Sequence, residues 1–443
     1  MIQNILFYIF MVVGLIYMFH LGLYVVGANI YDILNYAKKS DKKDRKKLPV
    51  VSVIIAAYNE EKSIVKCLDT VWKSNYPRLE IIIVDDGSKD ATYSHVKQFI
   101  ANHNYRSTTS QVRRFGDGTL KRVWHRGNVA ESRTIKLMTK PNGGKSSALN
   151  MALASGVSGE YVMTLDADSI LDKQAIRNAV SYFKDNTIVG VAANVRVLDS
   201  LSIIGLLQKF EHMIGYRSKK FYSMTGSELI VGGVASTYRK SVLEEVGFYD
   251  TDTQTEDIGL SMKITAKGSK NYRLIYAPDV IAMTQGVQTF GALLKQRYRW
   301  KLGNLQNLIK YSSSFKTTNS SHSRMMTFYR VPMAYLSEAM LVLEPFILLY
   351  VLYLSIVLQS FALFAGSYMV ITAYVLFTIW PDEHYSNKEK MRLSMYAPIM
   401  YFLFYIMDVV QLVAVFRCLA SPKKLALKVE TDGRWVSPER KGF

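Results

Sequence analysis

The sequence predicts an α/β domain on a parallel sheet, held between membrane-spanning helices. Three observations predict it. Both ends of the chain are long, apolar and almost free of formal charge; between them short β-branched runs alternate with helical stretches; and several of those runs end in carboxylates. Of 443 residues, 49% are apolar and 21% charged, which excludes a disordered or low-complexity protein. The mean hydropathy of +0.06 averages apolar ends with a polar middle. Cys67 and Cys418, the two cysteines, are too few and too far apart for a disulfide framework or a zinc cluster. A net charge of +19 is compatible with nucleic acid, an anionic membrane face or a phosphorylated substrate.

Residues 1–31 contain no Asp, Glu, Lys or Arg, and a bilayer core of about 30 Å needs roughly 20 apolar residues in helix. The segment lacks the basic start, short apolar core and small-residue cleavage site of a signal peptide, so it reads as a retained anchor. Residues 32–48 form a basic linker, densest in KKSDKKDRKK (Lys38–Lys47). Basic flanks stay cytoplasmic, which places Met1 outside and the next region inside, and draws the linker to anionic lipid.

Residues 49–285 form the α/β domain. VVSVIIAAYN (Val50–Asn59) is nearly continuous in apolar character, as expected of a buried parallel strand, with a helix behind it near Glu60–Ser74. EIIIVDDGSKDAT (Glu80–Thr92) is a second strand ending in two carboxylates, and YVMTLDADS (Tyr161–Ser169) is another. Ligands bind outside the carboxyl ends of such strands, so the acidic residues gathered there mark a candidate site.

The chemistry follows from the residue types. Asp166 and Asp168, at i and i+2 beyond a strand, suit a hard divalent cation, Mg²⁺ or Mn²⁺, which in turn neutralises a diphosphate. A lone Asp-x-Asp is a weak signal; its place after a second acidic strand end strengthens it. Asn142-Gly143-Gly144-Lys145-Ser146 is not a Walker P-loop, because Thr139 stands where a Gly is required. It reads either as an ordinary Gly-rich turn or as one that lets Lys145 reach a diphosphate from the start of a helix at Ser146–Ala154. Thr255-Glu256-Asp257 offers a base: Asp257 to take a hydroxyl proton, with Glu256 to orient or tune it. Without that role it is a polar surface turn.

Residues 286–343 read as interfacial amphipathic helices. Within them, Gln296-Arg297-Tyr298-Arg299-Trp300 supplies an arginine for phosphate and an aromatic face for a sugar ring. Residues 344–418 hold about three further spans: Pro345–Pro381 is free of formal charge, and Leu393–Phe416 carries only Asp408. The basic tail 419–443 favours the inside, so either Met326–Leu343 also crosses or one segment only dips in. Glu338, Glu344 and Asp408 lie in or near these spans, where ionisable groups mark either a pathway or an interface.

VDDGS, Asp166-x-Asp168, Thr255-Glu256-Asp257 and Gln296-x-x-Arg299-Trp300, in this order, resemble the processive, inverting family-2 glycosyltransferases. The likeness runs from Pro49 to the C-terminus. SVIIAAYNEE, GVASTYRKSVLEEVGF (Gly233–Phe248), TEDIGLSMKI (Thr255–Ile264) and RWVSPER (Arg434–Arg440) resemble the bacterial members that make β-1,6-linked N-acetylglucosamine polymers. The resemblance implies a GT-A nucleotide-sugar domain in the cytoplasm, fused to a multi-pass anchor in the cell membrane. It implies UDP-N-acetylglucosamine as donor and a growing exopolysaccharide as product, exported through the membrane helices. Asp85 and Asp86 would contact the nucleoside, Asp166 and Asp168 the donor and metal, and Lys145 the diphosphate. Asp257 would be the base, and Gln296, Arg299 and Trp300 would hold acceptor and diphosphate. Membrane lipid is a partner on this reading, with place for a small membrane accessory subunit.

Hyaluronan and chitin synthases usually carry Ser-Gly-Pro where this chain has Gly232-Gly233-Val234. Alternatives are another β-glycan synthase, of hyaluronan, chitin or glucan type, or a non-processive transferase acting on a lipid-linked sugar. Nucleic-acid binding would explain the charge alone and leave Asp166, Asp168 and Asp257 without a role; no nucleic-acid partner is expected. Against the family, the N-terminal end offers one span where some relatives have two, and Tyr105–Arg133 reads as an inserted basic, solvated loop.

Overall fold

The computed structural model describes residues 2–39, 48–103, 108–114, 120–128, 133–198, 202–315 and 320–427. The strands are β1 (Val51–Ala57), β2 (Leu79–Asp85), β3 (Thr108–Arg114), β4 (Leu120–Asn128) and β5 (Arg133–Thr139). They continue with β6 (Tyr161–Asp166), β7 (Ser169–Leu171), β8 (Ile188–Val197), β9 (Ser236–Arg239) and β10 (Arg273–Thr284). All join one sheet in the order β3-β4-β5-β2-β1-β6-β9-β8-β10-β7.

The centre is parallel as expected: β1 pairs in parallel with both β2 and β6, and β2 with β5. The whole sheet, however, is mixed. β9 runs antiparallel between β6 and β8. The expected loop at Tyr105–Arg133 is also corrected. β3 and β4 form an antiparallel hairpin that extends the sheet through β5, while its basic side chains lie outside the described residues.

The helices of the first half are α1 (Ile2–Lys39), α2 (Ile64–Trp72), α3 (Thr92–Asn102), α4 (Lys145–Ala154), α5 (Ala175–Tyr182) and α6 (Ile203–Met224). The second half adds α7 (Lys240–Val246), α8 (Glu256–Ala266), α9 (Phe290–Tyr311), α10 (Val331–Met340) and α11 (Glu344–Val357). The chain then runs through α12 (Ala362–Ile379), α13 (Asn387–Leu419) and the short α14 (Pro422–Leu425). Continuous Val/Ile strands bury both faces: one side packs on α2, α3 and α5, the other on α4, α7 and α8.

Among the described residues, three helices are long and apolar enough to cross a membrane: Phe7–Leu34, Ala362–Ile379 and Asn387–Leu419. A fourth span is formed only if Met326–Met340 and Glu344–Val357, bent by 61° at their break, are taken as one. The anchor helix does not stop at residue 31 but carries Asp32 to the end of its apolar stretch. Ser386 and Glu389 close a reciprocal cap at the start of α13, which fixes where that long helix begins. A third core, with Phe210 of α6, Leu293 of α9, Val375 of α12 and Met400 of α13, welds the sheet domain to the apolar helices. The linker residues 40–47 and the tail 428–443, RWVSPER included, lie outside the described residues.

Candidate active site

Register builds the site. Ala57 of β1 pairs with Asp85 of β2, Asp85 with Thr139 of β5, and Ala56 with Asp166 of β6. Four strands therefore end level with one another, and the residues after them meet at one edge. The cleft there is lined by Tyr58, Glu60, Asp86, Lys145, Asp166 and Asp168 among others. Side chain to backbone bonds hold its rim: Ser88 Oγ accepts from Asn59 N at 3.0 Å, and Asn59 Oδ1 accepts from Lys89 N at 2.8 Å.

Asp86 lies at the cleft wall, but its carboxylate is engaged by the glycine loop. It accepts from Lys140 Nζ at 2.5 Å, from Gly143 N at 3.1 Å and from Gly144 N at 2.8 Å. This arrangement shapes the turn that launches α4 and presents Lys145. Asp85 is buried behind it and accepts from Ser88 N at 3.3 Å. Burial pushes the carboxyls of both Asp85 and Asp86 up from their ordinary range.

Lys145 is the centre of the arrangement. Its Nζ lies 2.6 Å from Asp166 Oδ1 and 2.9 Å from Glu256 Oε1. Burial alone would lower the ammonium; the facing carboxylates of Asp166, Glu256 and Asp257 outweigh it and hold the lysine protonated well above its usual range. Glu256 and Asp257 occupy the first turn of α8, where the helix dipole favours negative charge. Even so, burial first and then the neighbouring Glu256 push the Asp257 carboxyl up from its ordinary value, with Lys145 opposing. Its Oδ1 accepts from its own neighbour, Ile258 N, at 2.9 Å.

Asp168 is buried, with Ser169 Oγ donating to Oδ1 at 3.2 Å and Thr284 Oγ1 to Oδ2 at 3.3 Å. Such bonds orient a carboxylate as a ligand. Among the described residues no three His, Cys, Asp or Glu side chains are grouped to hold a metal ion unaided. Asp166 and Asp168, both at the cleft, are the oxygen donors that would hold a hard divalent ion.

Gln296, Arg299 and Trp300 all lie on α9, one turn before the place where that helix meets α8. At Gly303 a Cβ would collide with the Thr255 side chain, so only glycine permits the contact, and Asn307 Nδ2 donates to the Thr255 carbonyl at 3.3 Å. Arg297, inside the motif, is buried; it pairs with Glu211 of α6 at 2.6 Å and lies 4.2 Å from the Trp300 ring centroid. Gln296 Oε1 is buried without a hydrogen-bond partner, an acceptor that a ligand hydroxyl would satisfy. Glu338 is explained by structure: it accepts from Lys301 and Asn304 at 2.9 Å each and so joins α10 to α9.

Two site residues were not legible as such. Gly233 is so close to the centre that a Cβ there would lie 2.9 Å from Lys145 Nζ and 3.4 Å from Asp257 Oδ2. The sequence marks Gly232-Gly233 only as a departure from Ser-Gly-Pro. Tyr249 is buried beside Glu256, Lys145 and Asp257 with its phenol bonded to Thr164, and nothing in its sequence context marks it.

A mixed sheet whose parallel centre ends in an acidic cleft, closed by an acid-headed helix, defines a GT-A nucleotide-sugar transferase. A family profile described as "Glycosyltransferase like family 2" matches residues 49–303, and the chain belongs to that family. It is similar to the poly-beta-1,6-N-acetyl-D-glucosamine synthase of Staphylococcus epidermidis, 30% identical over 416 residues, 90% of this chain and 89% of that protein. The synthase of the same name from Staphylococcus aureus strain COL is 31% identical over 271 residues, 60% of this chain and 58% of that protein. Among solved structures, the mannosyltransferase PcManGT of Pyrobaculum calidifontis, in complex with GDP-Man and Mn²⁺, superposes with TM-score 0.53. It is 19% identical, covers 90% of this chain and 98% of that one, and shares the fold.

Proposed function

We propose that this glycosyltransferase is a multi-pass membrane enzyme that polymerises N-acetylglucosamine from UDP-N-acetylglucosamine into a β-1,6-linked polysaccharide and passes it across the membrane. The catalytic domain faces the cytoplasm. The observation that carries the reading is the Lys145 bridge, 2.6 Å to Asp166 and 2.9 Å to Glu256, which draws the middle and late acidic motifs into one reaction centre. The product assignment rests on relatives of that name along 90% of the chain.

The donor lies across the strand ends, with its nucleoside toward Asp85 and Asp86. Asp166 and Asp168 would hold Mg²⁺ or Mn²⁺, which would supply positive charge to the diphosphate and make UDP a better leaving group. Lys145, freed from one carboxylate, turns its ammonium to the same diphosphate. Gln296 and Arg299 position acceptor and diphosphate, and Trp300 forms the floor beneath the acceptor sugar. Asp257 takes the proton of the acceptor hydroxyl; that oxygen bonds to the anomeric carbon as the carbon–oxygen bond to UDP breaks. A single displacement inverts the α-linked donor to a β-linked product. Glu256, held by Lys145, keeps a second charge beside Asp257 and sustains its basicity.

Detergent-purified full-length protein, incubated with a panel of UDP-sugars, tests this reading. A polymer made from UDP-N-acetylglucosamine alone and cut by a β-1,6-specific hydrolase is expected. Products one sugar long would overturn processivity, and cleavage only by hydrolases of another linkage would overturn the polymer assignment.

A further inference from the structure

A second cavity, about 1110 Å³ in volume, lies at the opposite end of the sheet from the catalytic cleft. It is bounded by the inner end of α1, the start of β1, α5, α6, the first part of β10 and the turn between α12 and α13. Aromatic side chains finish its walls: Tyr31 Oη donates to the Tyr276 carbonyl at 2.7 Å, and Tyr216 stacks on Tyr276 at 4.8 Å. None of the reaction described above uses this space.

Its lining carries six carboxylates and six Lys or Arg side chains, and cations are in excess only where α1 meets α6. Asp32, near the end of the apolar stretch of α1, is shared by two cations of α6: Lys220 Nζ at 2.6 Å and Arg217 Nη1 at 4.0 Å. Arg217 Nη2 donates to Asn29 Oδ1 at 2.9 Å, but its Nε has no acceptor although the side chain is only 4% exposed. A buried donor without an acceptor is a standing cost, and an anionic oxygen would remove it. Two further cations line the cavity and donate only to backbone carbonyls: Arg177 to Asn75 O at 2.9 Å and Arg78 to Leu48 O at 2.6 Å.

Position says which anion fits. Immediately beside Asp32 the outer face of α1 is apolar and exposed, with Ile30 at 42%, Ile33 at 71% and Leu34 at 54%. The basic run Lys38–Lys47 follows in the chain. On the membrane placement proposed above, this is headgroup depth, where an acyl chain can lie along α1 while its phosphate turns inward.

We infer that this cavity is a binding site for an anionic glycerophospholipid, whose phosphate accepts hydrogen bonds from Arg217 and Lys220. The lipid ties α1 to α6 at the end of the domain remote from chemistry.

The test reads binding, so it stands apart from sugar transfer. Full-length protein is reconstituted in nanodiscs of phosphatidylcholine with or without phosphatidylglycerol, and retained lipid is counted by native mass spectrometry. Wild type is expected to retain phosphatidylglycerol selectively. Arg217→Gln and Lys220→Gln should each weaken retention about tenfold, the loss of one charge-assisted hydrogen bond. Asp32→Asn, which frees both cations, should strengthen it; a purely structural ion pair predicts no gain. Equal retention of the two lipids, no change in Lys220→Gln, or weaker retention in Asp32→Asn would overturn the assignment. So would displacement by millimolar inorganic phosphate, which would mark a soluble-anion site. Failure of sugar transfer with selective lipid retention intact would sink the proposed function and leave this inference standing.

Discussion

Asp257 is a carboxylate held in a place that disfavours its charge, and Lys145 is the cation that makes the place tolerable. Its raised pKa has a definite sign. The basic form exists above that value and is lost as pH falls through it, so the acid limb of kcat should lie above the ordinary carboxylate range. A limb at the ordinary aspartate value in a pH–rate profile would contradict the burial argument. Asp257→Asn should cost about 10²- to 10⁴-fold in transfer rate. The same substitution should raise the thermal midpoint at neutral pH. The folded state binds this proton more tightly than the unfolded chain, so the charged form costs stability once pH exceeds the folded pKa. Gly233→Ala tests the centre from the other side. Its methyl would lie 2.9 Å from Lys145 Nζ, so transfer should collapse while circular dichroism stays unchanged.

Among the elements, α8 and α9 bring the proposed base and the proposed acceptor residues together. The acidic turn of α8 comes from one part of the chain and the Gln-x-x-Arg-Trp turn from another, and Gly303 lets the helices approach side by side. Gly303→Ala forces Thr255 away and should cost about 1–3 kcal/mol in stability by overpacking. It should also lower kcat more than it raises the donor KM, because Asp257, the proposed base, shifts relative to Trp300. Steady-state kinetics with a thermal melt would check both. Glu338→Gln should lower the melting temperature by breaking the link to Lys301 and Asn304, worth about 1–3 kcal/mol, without altering product length. Shorter polymer from that variant would return Glu338 to the product pathway.

For the whole molecule, synthesis should stop on removal of divalent ions with EDTA and return with Mn²⁺ or Mg²⁺. Asp168→Asn should need far more metal for half-activity. Identical metal dependence in the variant would exclude Asp168 as a ligand. The core shared by α6, α9, α12 and α13 means that the sheet domain and the apolar helices form one body. Arg196 strengthens the join, reaching Asp382 in the α12–α13 turn at 2.7 Å. The apolar helix α13 therefore packs directly on α9, the helix that carries Trp300.

Local pattern was enough for the buried strands, the charge-free ends and the carboxylates at strand termini, because burial on both faces and a 30 Å apolar layer leave direct marks in residue type. It was enough, too, to single out Lys145, Asp166 and Asp257, though not to show that Lys145 faces those carboxylates. What only the tertiary structure decided is long-range. The antiparallel insertion of β9 brings Gly233 beside Lys145, pairing places the hairpin at the sheet edge, and the surrounding core makes Tyr249 a neighbour of Asp257. Each depends on which distant segments meet, and a residue's own neighbours in the chain carry no record of that meeting.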